Sequence, residues 1–213
     1  VAARDYGQYG GVARAVELIG ERWALLIVRD LLVGPRRYGE LAAGLPRIPT
    51  NILATRLREL QAAGVIRRAP RSRIVIYELT PYGRELEPVV LALGAWGLGA
   101  LEPPRDEQVI TADSLAIDLR SAFRPQVASG LPDTSYAAHL GDSGLLISVR
   151  GASLEVQRGA APADLAFAAG ADIHRLITGE LDTATALETG AVRVLSGRGS
   201  LLGRFASTFR LAA

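Results

Sequence analysis

The segment Leu45-Pro-Arg-Ile-Pro49 leaves the fewest options for folding, because prolines at 46 and 49 cannot both lie inside one helix. Before it, Tyr38-Gly-Glu-Leu-Ala-Ala-Gly44 has a helical pattern. After it, residues 50 to 63 place Ile52, Leu53, Leu57 and Leu60 on one arc of a helical wheel, with Asn51, Thr55 and Arg58 almost opposite and Ala54 beside them. Gly64 then reads as a helix stop. Val65–Ala69 and Ile74–Leu79 read as two strands around the turn Pro70-Arg-Ser-Arg73. Two helices joined by a proline turn and followed by a ribbon make a winged helix-turn-helix.

The arc opposite the leucines suits either an ordinary solvated helix face or the edges of base pairs. Charge favours the second. All 24 basic residues are arginine, whose planar fork matches phosphate and guanine. Residues 36 to 73 hold nine arginines against two acids, whereas the net charge of the whole chain is only +2. Residues 1 to 100 carry 14 arginines and 9 acids, and residues 101 to 213 carry 10 and 13, so the halves differ in sign. A basic stretch laid over a helix-turn-helix is the electrostatic footprint of a duplex-binding surface.

Further helices are expected at about 11 to 19, 22 to 33 and from Pro81 to about Ala100. The run Pro88 to Leu101 is apolar on nearly every side and too short to span a bilayer. A small domain has difficulty covering such a helix on its own, so it is expected to pack partly on a twofold mate. Leu101-Glu-Pro-Pro-Arg-Asp-Glu-Gln108 reads as a linker. The expected organisation is therefore a domain over 1–100, a linker over 101–108 and a second domain over 109–213.

Several stretches resemble HxlR-type winged-helix regulators across roughly residues 9 to 98: Val12-Ala-Arg-Ala-Val-Glu-Leu-Ile-Gly20, Arg22-Trp23, Arg29-Asp30-Leu-Leu-Val-Gly-Pro-Arg-Arg-Tyr38, Arg56-Leu-Arg-Glu-Leu60 and Tyr77-Glu-Leu-Thr-Pro-Tyr-Gly-Arg-Glu-Leu86. The resemblance implies a dimeric bacterial transcription factor whose helix 50 to 63 enters the major groove. One departure matters: Gly10-Gly11 stand where the family commonly has Cys-Pro. With no cysteine in the chain, thiol sensing at that position is excluded.

The candidate DNA-binding residues are Arg36, Arg37, Thr50, Asn51, Thr55, Arg58, Arg71 and Arg73. Arg36 and Arg37 follow Pro35 at a helix start and, like Arg71 and Arg73 at the wing tip, suit phosphates. Asn51 and Arg58 suit base edges. Arg67 and Arg68 alternate on their strand, so at most one faces DNA. Arg56 falls inside the leucine arc and reads as a structural arginine paired with Glu40. The expected partners are double-stranded DNA and a second copy of the chain, with recognition helices about 34 Å apart on a roughly palindromic site.

The second half has a different texture. A helix at about 114 to 123 precedes strand-like segments at 134–140, 145–150, 153–157 and 164–168, expected as a meander. Helices at about 170–178 and 182–188, a strand at 191–195 and a closing helix from Ser200 follow. The expected fold class is α+β: the winged helix followed by a layer domain with a mostly antiparallel sheet covered by helices. Ile177-Thr-Gly-Glu-Leu-Asp-Thr-Ala-Thr-Ala-Leu-Glu-Thr-Gly-Ala-Val-Arg-Val194 is similar to the C-terminal part of sterol carrier protein type 2-like domains. This resemblance implies an apolar tunnel for a hydrophobic small molecule, lined by Phe123, Phe167, Ile173, Leu176, Leu187, Phe205 and Phe209. The same residues would equally serve as plain core.

Other function classes are disfavoured. Gly141-Asp-Ser-Gly144 lies near His139 but reads as a hairpin turn. Gly197-Arg-Gly-Ser-Leu-Leu-Gly203 has only one helix after it, so it cannot open a dinucleotide-binding unit. No cysteine and two histidines leave little to build a metal site. No cofactor, no catalysis and no membrane span are expected, and the cytoplasm is the expected compartment. The competing reading is a lipid carrier or enzyme whose winged helix only contacts other proteins.

Overall fold

The structure, a computed structural model, describes residues 5–71, 73–105, 107–159 and 161–211. Ser72 of the expected turn and Asp106 of the expected linker lie outside the described residues. The chain divides into two compact units, residues 1–90 and 91–213. That division falls inside a helix, upstream of the segment 101–108.

The first unit begins with α1 (Gly11–Ile19), α2 (Ala24–Val33), α3 (Tyr38–Gly44) and α4 (Thr50–Ala62). The hairpin β1 (Ile66–Arg71) and β2 (Ile74–Leu79) follows, and then the short helix α5 (Pro81–Arg84). Leu53, Leu57 and Leu60 of α4 are buried with Ile27, Val28 and Leu31 of α2, as the leucine arc requires. Strand β1 runs further than expected: Arg71 pairs with Ile74, which leaves a two-residue connection. The ribbon also gains a third member, since Arg36 and Tyr77 form an antiparallel bridge with N···O distances of 3.0 and 2.7 Å.

The expected helix from Pro81 to Ala100 is two helices, α5 and α6 (Glu87–Leu98). Pro88 has no N–H to offer the Arg84 carbonyl, so the i→i−4 ladder is interrupted there. Thr80 explains how α5 starts. Its hydroxyl accepts from the Gly83 N–H at 3.0 Å and donates to the Gly64 carbonyl at 2.6 Å. Gly83 is required by close approach, because a methyl there would overlap the Val65 carbonyl oxygen.

The second unit contains α7 (Ala112–Ser121), α8 (Pro125–Ala128), β3 (Thr134–Leu140), β4 (Ser143–Arg150), β5 (Ser153–Arg158), β6 (Leu165–Ala169), α9 (Asp172–Thr178), α10 (Thr183–Glu188), β7 (Val192–Gly197) and α11 (Leu201–Thr208). Strands β3, β4 and β5 form the expected meander. The expectation of a continuing meander fails at β6, which pairs with β3 in parallel and gives a mixed sheet of order β5-β4-β3-β6-β7. Asp164 sets this pairing: its carboxylate accepts from the N–H and hydroxyl of Ser135, both at 2.8 Å, and its own N–H donates back to the Ser135 hydroxyl at 3.0 Å. Those bonds hold the Asp164 carboxyl below its ordinary pKa. Gly197, paired with Leu165 at φ +87°, accommodates the bulged end of β7, where a side chain would overlap the Asp164 carbonyl.

One face of the sheet carries Tyr136, Leu145, Ile147, Leu165 and Phe167, and it is covered by helices. Arg158 of β5 makes a two-pronged ion pair of 2.5 and 2.6 Å with Asp113 of α7, whose side chain is buried. His174 of α9 is bonded to Asp118 of α7 at 2.9 Å. The four phenylalanines of the chain form one cluster, with ring centroids 4.8 Å apart for Phe205–Phe209, 5.2 Å for Phe167–Phe205 and 5.9 Å for Phe123–Phe209, and Tyr136 joins it against Phe205 and Phe209 at 5.3 and 6.5 Å. Burial among these rings pushes the Tyr136 hydroxyl up to about 12.

Candidate nucleic-acid interface

Three consecutive residues join the elements that carry the candidate DNA contacts. The backbone of Arg36 is bridged to β2 of the wing. The Arg37 N–H donates to the Glu40 carboxylate at 2.6 Å, which satisfies a free amide at the start of α3. The Tyr38 hydroxyl donates to the Thr50 carbonyl at 2.8 Å and so ties the start of α3 to the start of α4. Wing, scaffold helix and second helix are thereby referred to one short segment, and loosening it would misplace all three.

On α4, Thr50, Asn51 and Arg58 are exposed and Thr55 is half-buried, whereas Leu53, Leu57 and Leu60 are inside. The Arg58 guanidinium lies back along the helix, with Nη2 donating to the Thr55 hydroxyl at 3.2 Å and Nε to the Ala54 carbonyl at 3.4 Å. Thr55 and Arg58 are therefore one hydrogen-bonded pair on the outward face, and an arginine fork is available there to a pair of acceptors such as those of guanine.

The wing arginines are sorted by a single carboxylate. Glu78 of β2 is buried and receives Arg67 at 2.8 Å across the ladder and Arg71 at 3.6 Å. Arg71, expected at the tip as a phosphate ligand, thus leans toward the strand, while Arg73 is exposed in the connection. Arg68 is exposed on the other face of β1. Arg37 is exposed as well, and Arg36 is half-buried. Exposed Arg47, in the turn before α4, belongs to the same basic stretch and is absent from the expected contacts. Its only signal in the sequence is the local charge excess, since a residue between two prolines has no periodicity to assign its side.

Arg56 is structural, but its partner is not Glu40, which is occupied at the start of α3. Its guanidinium pairs with Glu21 at 2.6 Å and with Glu59 one turn on, and its Nε donates to the Arg22 carbonyl at 3.1 Å. The next residue, Trp23, holds φ +79°, the one positive φ outside glycine among the described residues, with the Arg22 guanidinium 5.1 Å from its ring centroid. A left-handed tryptophan costs about 1–3 kcal/mol, so the turn persists only because its surroundings fix it.

In the second unit, Phe167, Ile173, Leu176, Phe205 and Phe209 of the expected tunnel lining are fully buried, Phe123 is half-buried and Leu187 is 40% exposed. Two open concavities of about 420 and 370 Å³ lie elsewhere, one around Arg175, Thr185 and Thr189 and the other around His139, Ala168 and Arg193. Neither is lined by a residue of the expected tunnel. Gly141-Asp142 is the tight turn of the β3–β4 hairpin, with Leu140 paired to Ser143. No cluster able to hold a metal ion occurs among the described residues, and no described helix is long and apolar enough to cross a membrane.

Comparison with known proteins agrees with this geometry. Residues 18–104 match the HxlR-like helix-turn-helix family. The chain is 38% identical over 101 residues to an HTH-type transcriptional regulator of Synechocystis sp., covering 46% of this chain and 75% of the relative. It is 36% identical over 93 residues to the HTH-type transcriptional regulator YvaP of Bacillus subtilis, covering 42% of this chain and 86% of that one. An HTH-type transcriptional regulator of Mycobacterium bovis is 45% identical over 89 residues, and there the match spans 40% of this chain and 56% of the relative. The chain belongs to the HxlR-like helix-turn-helix family of DNA-binding transcriptional regulators.

Proposed function

We propose that the protein binds a roughly palindromic DNA operator as a homodimer, with α4 of each copy in the major groove and the wing beside it. The observation that carries this reading is the outward face of α4, where Thr50, Asn51 and the Thr55–Arg58 pair are tied to the basic wing through residues 36 to 38. Arg36, Arg37 and Arg73 supply phosphate contacts, Arg71 joins them by leaving its loose 3.6 Å approach to Glu78, and Asn51 and Arg58 supply base contacts. Dimerisation is supported by α6. Val89, Leu93 and Trp96 recur at helical spacing and remain 47, 45 and 78% exposed, an apolar stripe that a second copy would cover. Exposed Val12 and Val16 form a similar pair on α1.

The part of the second unit over about 109–213, beyond a linker at 101–108, is the sensor in this reading: a sterol carrier protein type 2-like domain that takes a hydrophobic small molecule. Its support is the resemblance of residues 177–194 together with a sheet whose apolar face lies under helices. The ring cluster sets a physical condition on binding. Rings 4.8–5.9 Å apart are in contact, so a ligand at this site must part Phe205 from its neighbours. The test is operator affinity at two salt concentrations, repeated with candidate lipophiles. Steep salt dependence and a preferred duplex are expected. Weak salt dependence with no preferred site would turn the assignment toward a protein-interaction module, and unchanged affinity at saturating lipophile would reduce the second unit to a scaffold.

A further inference from the structure

We propose that Arg56 is a positioning residue for DNA reading: by gripping the α1–α2 turn it fixes the roll of α4, and so decides where Asn51, Thr55 and Arg58 point. The inference rests on the reading of α4 as the helix that enters the groove. Leu53, Leu57 and Leu60 hold α4 on the core, but apolar contacts are non-directional and tolerate small rotations about the helix axis. Base contacts do not, because a bidentate hydrogen bond needs its donors placed to about half an ångström and within about 20°. The Tyr38–Thr50 bond restrains only the start of α4, and Arg56 adds a directional restraint at its middle. Its planar fork spans a carboxylate on another element (Glu21), a backbone carbonyl (Arg22) and a carboxylate on its own helix (Glu59). Only 13% of its side chain is exposed, and its two carboxylate bonds are part-buried.

The grip also runs in the other direction. Glu21 and Arg22 stand between α1 and α2, next to the left-handed Trp23. A displacement of α1 is therefore passed to α4 through one guanidinium rather than through the leucine contacts alone.

The experiment uses the full chain and a duplex selected from a random pool by the wild type. Arg56→Gln and Arg56→Lys are compared with Arg58→Ala for specific affinity, for affinity to an unrelated duplex, for salt slope and for thermal midpoint. Arg56→Gln is expected to bind the selected duplex about tenfold more weakly, with its affinity for the unrelated duplex and its salt slope kept. Lysine, which keeps the charge but lacks the fork, should restore little. A folded Arg56→Gln that retains specific affinity within about twofold, or that loses both affinities together, overturns the proposal. If Arg56→Gln does not fold, Glu21→Gln decides: a loss confined to the selected duplex supports the inference, and no loss overturns it. A wild type that selects no duplex overturns the DNA reading itself, and this inference with it, before any variant is compared.

Discussion

Both units use arginine to tie elements together, but only the first carries a run, residues 36 to 73, in which nine arginines face two acids. Within residues 36 to 73 both acids are already engaged, Glu40 at the start of α3 and Glu59 with Arg56. The remaining arginines of that stretch therefore outnumber the carboxylates available to them. In the second unit several arginines are held within the fold: Arg158 is clasped by buried Asp113, Arg175 pairs with Asp172, and Arg204 donates to the Thr134 hydroxyl at 2.6 Å. A matched arginine staples one element to another and leaves little field in solution. A stretch with many more arginines than acids projects a field into solution and contributes less to folding. Arginine is thus adhesive in both units, through Arg56 in the first and Arg158 in the second, and in the first it also furnishes a surface for a polyanion.

This contrast is open to direct tests, the largest expected effect first. Raising salt from about 50 to 200 mM should weaken DNA binding by about a thousandfold, which corresponds to some six phosphate contacts shared by two copies. A slope near zero in a plot of log affinity against log salt would erase the distinction between the units. Phe205→Ala, which empties the centre of the ring cluster, should lower the stability of the second unit by about 3–5 kcal/mol in a denaturant titration. Asp113→Asn should lower it by about 2–3 kcal/mol, somewhat less than for a wholly buried pair because Arg158 is 40% exposed. Arg58→Ala should cost about 1–3 kcal/mol of specific affinity and relax preference at one base pair, with stability unchanged within about 0.5 kcal/mol.

The smallest effect is one of pH. The Asp164 carboxyl is held below its ordinary pKa by Ser135, so its contribution to stability is present above the unfolded-state value and is lost as pH falls through the folded one. Asp164→Asn should therefore narrow the stability gap between neutral and acidic pH, read from thermal midpoints across the carboxylate range. An identical gap in wild type and variant would remove Asp164 as the group that sets the β3–β6 pairing.

Much of the first unit was legible from its sequence. The prolines at 46 and 49, the leucine arc of α4 and the turn formers between the two strand-like runs each act within a turn or two of chain, so their consequences can be counted off in order. The part of the interface that escaped notice depends on distance in space. Nothing local marks the Arg36–Tyr77 bridge, 41 positions apart, or the choice of Glu21 over Glu40 by Arg56, 35 positions away. Arg71 reads as a tip residue because its neighbours are turn formers, and the carboxylate 3.6 Å from it, Glu78, lies on the other strand of the ribbon. In the second unit the strands were recognisable one by one. The parallel partner of β6 was not, because strand order depends on which edges are left open once the sheet assembles.

The chain's own order of residues determined the helix-turn-helix, the ribbon after it, the basic stretch across both and the absence of thiol chemistry, since propensity, chain breakers and charge are properties of short segments. Only the folded molecule decided that β6 lies parallel to β3, that the four phenylalanines close on one another, and that the grip on α4 comes from the α1–α2 turn. Those outcomes turn on contacts between residues tens of positions apart, whose geometry exists only once the backbone has brought them within reach.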